Sequence, residues 1–93
     1  MIHVYCVFLV GEPLLLDSDS EEFGFYRNEY VASLSEERAI ARAKTKTMKR
    51  LEKRGARFVD GRPFALNVER VEPRVPISRL FRSEGFIFFP VSS

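Results

Sequence analysis

Cysteine and histidine each occur once in this 93-residue sequence, as Cys6 and His3, and tryptophan is absent. A single cysteine excludes a disulfide within the chain, so nothing in the composition indicates a disulfide-stabilised secreted fold. The usual zinc sites, which combine four cysteine and histidine ligands, are excluded as well. We therefore expect a domain with an ordinary apolar core, no metal and no cofactor.

Motifs that bind nucleotides or activate a nucleophile are also missing. The sequence contains no G-x-x-x-x-G-K, no G-x-G-x-x-G and no G-x-S-x-G pattern. His3 stands at the predicted start of a strand, where a surface or rim position is expected for it. Cys6 has no basic neighbour in sequence to activate its thiol, which favours a small buried hydrophobic residue. We predict that the protein is not an enzyme.

The chain is long enough for one domain, residues 1–93, with a modest core. Hydrophobic residues make up 45% and charged residues 30% of the sequence, as in ordinary folded proteins. The apolar opening lacks a basic start, and its uncharged run ends at Glu12, short of the roughly 20 residues that span a bilayer. A cytoplasmic protein without a membrane segment is the expectation.

Charge is unevenly distributed along the chain. Residues 1–37 contain eight acidic side chains and one basic one, whereas residues 38–62 contain ten basic and two acidic ones. The acidic run at residues 17–22 resembles the start of a calcium loop, but Glu22 and Asn28 stand where such a loop needs glycine and glutamate. A solvated loop is therefore predicted there, and a basic surface is predicted for residues 38–62.

Residues 33–55 contain the one long predicted helix. Ser35 is a suitable N-cap, Ser33 with Glu36 fits a capping box, and Gly55 is placed to end the helix in the left-handed conformation. Apolar or small residues recur at three- and four-residue steps and predict one buried stripe. They are Ala39, Ile40, Ala43, Thr47, Met48 and Leu51.

Four strands are predicted, at residues 2–10, 23–32, 64–71 and 85–90, with a short helix or turn at residues 77–83. The first strand is apolar on both faces, which is typical of a central strand. Charge in the middle of the second strand favours an edge or partly exposed position, with Arg27 and Glu29 on one face as an ion pair. The expected fold is α+β, a two-layer sandwich with the long helix on a mostly antiparallel four-stranded sheet. Its order, β-β-α-β-(short α)-β, is ferredoxin-like in general arrangement but not in strand order.

Several short runs together resemble a pattern in small bacterial proteins of unknown function. The runs are Gly24-Phe25-Tyr26 leading to Val31-Ala32, Ser35-Glu36-Glu37-Arg38-Ala39, Val68-Glu69-Arg70-Val71-Glu72, and Gly85-Phe86-Ile87-Phe88-Phe89-Pro90. The resemblance covers residues 23–90. It implies no catalytic residue.

The sequence supports two functional hypotheses. The first is a protein-interaction or self-associating module, expected as a homodimer because one helix covers only one face of the sheet. If the even-numbered residues of the first strand face the helix, then Tyr5, Val7 and Leu9 lie on the uncovered face, where a second copy could bury them. Alternatively, residues 77–83 fold over that face, and the protein is a monomer. The second hypothesis is a nucleic-acid-binding module that uses the basic face of the helix, which would serve an acidic protein partner equally well. The candidate binding residues are Arg38, Arg42, Lys46, Lys49 and Lys53.

Overall fold

The computed structural model describes residues 1–16, 21–82 and 85–91. Its elements are β1 (His3–Leu15), β2 (Glu22–Ser33), α1 (Glu36–Lys53), β3 (Arg57–Phe58), β4 (Ala65–Glu72), a 3-10 helix (Ile77–Phe81) and β5 (Ile87–Pro90). Within these residues one α-helix lies on an open antiparallel sheet of five strands. The predicted α+β class is confirmed. The predicted number of four strands is wrong, because the short strand β3 pairs with the end of β1 as a fifth. Most of the predicted acidic loop at residues 17–22 lies outside the described residues.

The first strand is central, as expected. β1 pairs with β2 on one edge and with β4 and β3 on the other, and β5 extends the sheet beyond β2. The prediction that β1 ends at Val10 is wrong, because the strand continues through Gly11 and Pro13 to Leu15. A register shift between Gly11 and Leu14 absorbs the extra residues, and pairing with β2 resumes at Leu14 opposite Phe23. Such an irregularity lets a strand accommodate proline and re-aims the side chains beyond it.

Both predicted ends of the helix are confirmed. The Ser35 side chain accepts a hydrogen bond from the backbone N–H of Arg38 at 3.3 Å. At the other end Gly55 has φ +78°, its N–H donates to the carbonyl of Glu52, and the N–H of Ala56 donates to the carbonyl of Leu51. This is the Schellman arrangement, which satisfies the last carbonyls and needs a residue that tolerates positive φ.

The helix packs on the face of the sheet that carries the odd-numbered residues of β1. Tyr5, Val7 and Leu9 form one buried cluster with Ala39 and Ala43 of the helix. The arrangement that left Tyr5, Val7 and Leu9 for a partner is therefore wrong. Before the register shift at Gly11, the even-numbered residues of β1 face away from the helix. The predicted stripe of the helix is confirmed: Ala39, Ala43, Thr47 and Leu51 are buried, and Ile40 and Met48 pack at its margins.

A second cluster under the C-terminal half of the helix is built from rings. Phe25 is fully buried there with Leu14 and Leu51. The ring of Phe86 meets Phe25 edge-on at 5.1 Å between centroids. The Phe25 ring also lies so close to Gly11 that a Cβ at that position would come within 2.5 Å of it. Only glycine leaves room for the ring at this crossing of β1 and β2.

The face of the sheet opposite the helix is partly covered. Val4 is 7% and Cys6 2% exposed, so the prediction of a buried Cys6 is confirmed. After β4 the chain stays attached to β1, since the Val75 N–H donates to the carbonyl of Val4 at 2.9 Å. The 3-10 helix beyond Val75 contacts β1 and β2. Ile77 and Phe81 remain 70% and 86% exposed, so the cover is incomplete.

Candidate functional surfaces

The five predicted binding residues form one continuous surface. Every one of them is exposed on α1. At 3.6 residues per turn they fall within an arc of about 80° and extend along roughly 22 Å of the helix. We call this surface the helix stripe; it consists of Arg38, Arg42, Lys46, Lys49 and Lys53.

Shallow grooves run between neighbouring members of the helix stripe. Arg38 and Arg42 line one of them together with Ile2 and Leu34. Arg42 and Lys46 line the next, and Lys46, Lys49 and Lys53 line a third. The members are therefore neighbours in space as well as on a helical projection, and the helix stripe is a continuous strip of positive charge.

Most of this positive charge is uncompensated. Within the described part of the chain, no carboxylate forms an ion pair with Arg38, Lys46, Lys49 or Lys53. Arg42 donates from Nη1 to the carbonyl oxygen of Ala32 at 2.7 Å, a neutral partner that leaves its charge in place. A surface with several unpaired cations attracts anions over a distance of about a Debye length.

Two further basic residues at the C-terminal end of the helix, Arg50 and Arg54, also contact the sheet. Arg50 also lines the third groove with Lys46, Lys49 and Lys53. Arg50 lies 3.7 Å from Oε1 of the buried Glu29. The guanidinium of Arg54 lies over the ring of Phe88, 5.2 Å from its centroid. Both side chains therefore contact groups of the sheet, Glu29 on β2 and Phe88 on β5.

The charged residues in the middle of β2 are buried. Arg27 and Glu29 are each 4% exposed, and their side chains are joined at 2.8 Å, so the predicted ion pair is confirmed. The expected edge position holds for this part of β2, since β5 pairs only with residues 23–26 and, on the side away from β1, no other described strand pairs beyond Tyr26. The expected exposure is wrong, because the helix covers these side chains. Thr47 of the helix donates its hydroxyl to Glu29 at 3.4 Å. The pair therefore links the sheet to the helix.

A second surface, which sequence reasoning missed, lies on the face away from the helix. We call it the outer patch and define it as Phe8, Tyr26, Ile87 and Phe89. Tyr26 and Ile87, paired across β2 and β5, are 51% and 67% exposed. The rings of Tyr26 and Phe89 lie 4.9 Å apart between centroids. Three rings and an isoleucine thus share one side of the sheet.

A hollow lies at one end of the outer patch, between Phe8 and Tyr26. The hollow measures about 520 Å³ and is lined by Phe8, Tyr26 and Arg70 among others. The Arg70 guanidinium covers the Phe8 ring at 4.2 Å and also pairs with Glu72 at 3.0 Å. At the other end, Phe89 lies across Gly24, where a Cβ would come within 2.4 Å of the ring.

Strand alternation was the information that could have revealed the outer patch. Alternate residues of a strand point to opposite faces, so the strand predicted at residues 85–90 divides its four apolar side chains between the two faces of the sheet. In the structure Phe86 and Phe88 enter the core beside Phe25, and Ile87 and Phe89 lie on the other side. Their assignment required the pairing register of β5 with β2, which the sequence alone does not fix.

His3 is half-buried at the start of β1, opposite Ser33. Among residues 1–16, 21–82 and 85–91, no three acidic, histidine or cysteine side chains lie where they could hold a metal ion. No helix in the same ranges has the length and apolar character needed to cross a membrane.

Comparison of the chain with protein-family models, with curated proteins and with solved structures gave no significant match. The helix stripe and the outer patch are therefore the features on which a function can rest.

Proposed function

We propose that this protein is an interaction module without catalytic activity, which pairs with a second copy of itself through the outer patch. The observation that carries the proposal is the exposure of Tyr26 and Ile87 beside Phe89, on the face that the helix leaves uncovered. Contiguous exposed apolar surface of this kind marks interaction sites on soluble proteins. Aromatic residues are also the side chains most enriched at the centre of protein interfaces.

The charge distribution favours a second copy as the occupant. Near the outer patch, the positive charge of Arg70 is balanced by an ion pair with Glu72. The outer patches of two copies can therefore meet with little repulsion between Arg70 and its equivalent in the second copy. Two helix stripes facing each other would instead oppose five cations with five. A two-fold axis through the outer patch brings identical rings together, as in isologous dimers.

Substitutions that place charge in the outer patch test this proposal. Tyr26→Glu combined with Ile87→Asp should weaken dimerisation by at least tenfold in sedimentation equilibrium, because two pairs of buried like charges would meet at the axis. Phe58→Glu is the control: Phe58 is 56% exposed, and its ring lies 5.1 Å from that of Phe64, which packs in the core on the helix side. That variant should dimerise normally. Equal behaviour of the two variants would contradict the assignment of this face.

The helix stripe favours a second role, binding to a polyanion. Four of its cations have no carboxylate partner in the described residues, and they follow one side of the helix. Nucleic acid is one candidate and an acidic protein is the other. In a gel-shift assay the proposed nucleic-acid role predicts retardation that is lost as salt rises. We further propose that the protein acts in the cytoplasm. We also propose that it is related to the small bacterial proteins of unknown function that its sequence pattern resembles.

A further inference from the structure

We infer that the dimer bridges two segments of double-stranded nucleic acid, one bound to each helix stripe. The inference rests on the proposed pairing through the outer patch and adds a ligand and an arrangement to it. It depends on one relationship: the helix and the outer patch lie on opposite faces of the same sheet.

The geometry of the dimer is determined by this relationship. When two outer patches meet, the two sheets stack at the centre and the helices lie outermost, each with its helix stripe along an exposed flank, where Arg42 reaches the carbonyl of Ala32 on β2. Stacked sheets are about 10 Å apart, and each helix with its side chains adds about 10 Å on either side. The two helix stripes are therefore on the order of 30 Å apart. This is several Debye lengths at physiological salt, so two bound duplexes do not repel each other appreciably.

The composition of the helix stripe favours a duplex over a single strand. Single-strand binding combines cations with exposed rings on which bases stack. Along the helix stripe the residues between the cations are Ala41 and Thr45, and the exposed ring of Tyr26 is on the opposite face. A row of cations without rings suits the phosphates of a duplex, which are contacted without base stacking.

An acidic protein fits the C-terminal part of the helix stripe less well. The centre of a protein interface is normally depleted of charge and supplied with apolar anchors. In the described residues the groove between Lys46, Lys49 and Lys53 is lined by no apolar side chain. This part of the helix stripe is thus a purely electrostatic surface.

The inference is tested by measuring whether the protein, when bound to one duplex, captures a second duplex. A short duplex is fixed to beads, and a fluorescent duplex of the same length is added with the intact protein at low salt. The natural protein should retain the fluorescent duplex on the beads. The variant Tyr26→Glu with Ile87→Asp should still retard a single duplex in a gel but should retain at least tenfold less on the beads.

A second pair of variants identifies the surface that binds. Lys46→Ser with Lys49→Ser should lower the slope of log K against log salt by roughly 2, since two phosphate contacts are lost. Arg79→Ser with Arg82→Ser removes the same charge from exposed positions outside the helix and should leave the slope unchanged. Both variants should remain dimers in sedimentation.

The outcomes separate the inference from the proposal beneath it. A dimer that fails to retard the duplex at low salt overturns the nucleic-acid inference and leaves self-association standing, with an acidic protein as the partner for the helix stripe. If the natural protein is a monomer that retards a duplex but captures no second duplex, both the proposed dimer and the inferred bridging are overturned. Capture that persists in the Tyr26→Glu, Ile87→Asp variant overturns bridging through the outer patch.

Discussion

Arg27 donates from Nε to Oε2 of Glu29 at 2.8 Å, and both side chains are buried between β2 and the helix. Two residues apart on one strand, they occupy the same face, where Thr47 and Arg50 of the helix also reach Glu29. The guanidinium of Arg27 lies 4.6 Å from the centre of the Phe86 ring. One ion pair therefore connects β2, the helix and the residue that leads into β5.

Removing either partner of this pair should destabilise the domain strongly. Arg27→Met or Glu29→Leu leaves one charge in a buried site, which typically costs about 3–5 kcal/mol. The double variant should lose much less than the sum of the two, since no charge is then stranded. Urea unfolding of the three variants measures this coupling. Strictly additive losses would show that the two side chains do not act as a pair.

The C-terminal end of the helix offers a test of backbone conformation alone. Gly55 has φ +78° and no atom within 4 Å of the position of a Cβ, so Gly55→Ala introduces strain without a clash. The expected loss is about 1 kcal/mol, the cost of a left-handed conformation for a residue with a side chain. Gly85→Ala is the control, because Gly85 has equal space and no positive φ. Thermal unfolding should show a loss for the first variant only.

Substitutions that introduce a negative charge at a buried and at an exposed position of the helix test which of its faces packs on the sheet. Leu51 is 3% exposed in the ring-rich cluster, so Leu51→Asp should cost more than about 4 kcal/mol, a large part of the stability of a small domain. Lys46 is exposed in the helix stripe, and Lys46→Glu should shift the melting temperature by only a few degrees. Similar losses in the two variants would contradict the register.

Local patterns were sufficient for the helix and for the centre of the sheet. Ser35 and Gly55 mark the helix ends by their own conformational preferences, and the spacing of Ala39, Ala43 and Leu51 defines its buried side. The two apolar faces of β1 placed it in the middle of the sheet. These features depend on residues close in sequence, so no knowledge of the fold was needed.

Long-range pairing determined what the sequence did not reveal. The bulge after Gly11 carries β1 past Val10, where the sequence predicted that the strand ends. The register of β5 on β2 decides that Phe88 is in the core and Phe89 in the outer patch. The burial of Arg27 likewise depends on where the helix lies. The helix stripe was predicted residue by residue, whereas the outer patch required the assembled sheet.

The mass of the unmodified protein in solution is the most direct test of the central claim, that the outer patch joins two copies. One chain has a mass of 10.8 kDa, so a dimer has twice that, about 22 kDa. Light scattering over a dilution series should give about 22 kDa at high concentration and fall toward the single-chain value on dilution. A mass that stays at 10.8 kDa throughout the series would contradict the account.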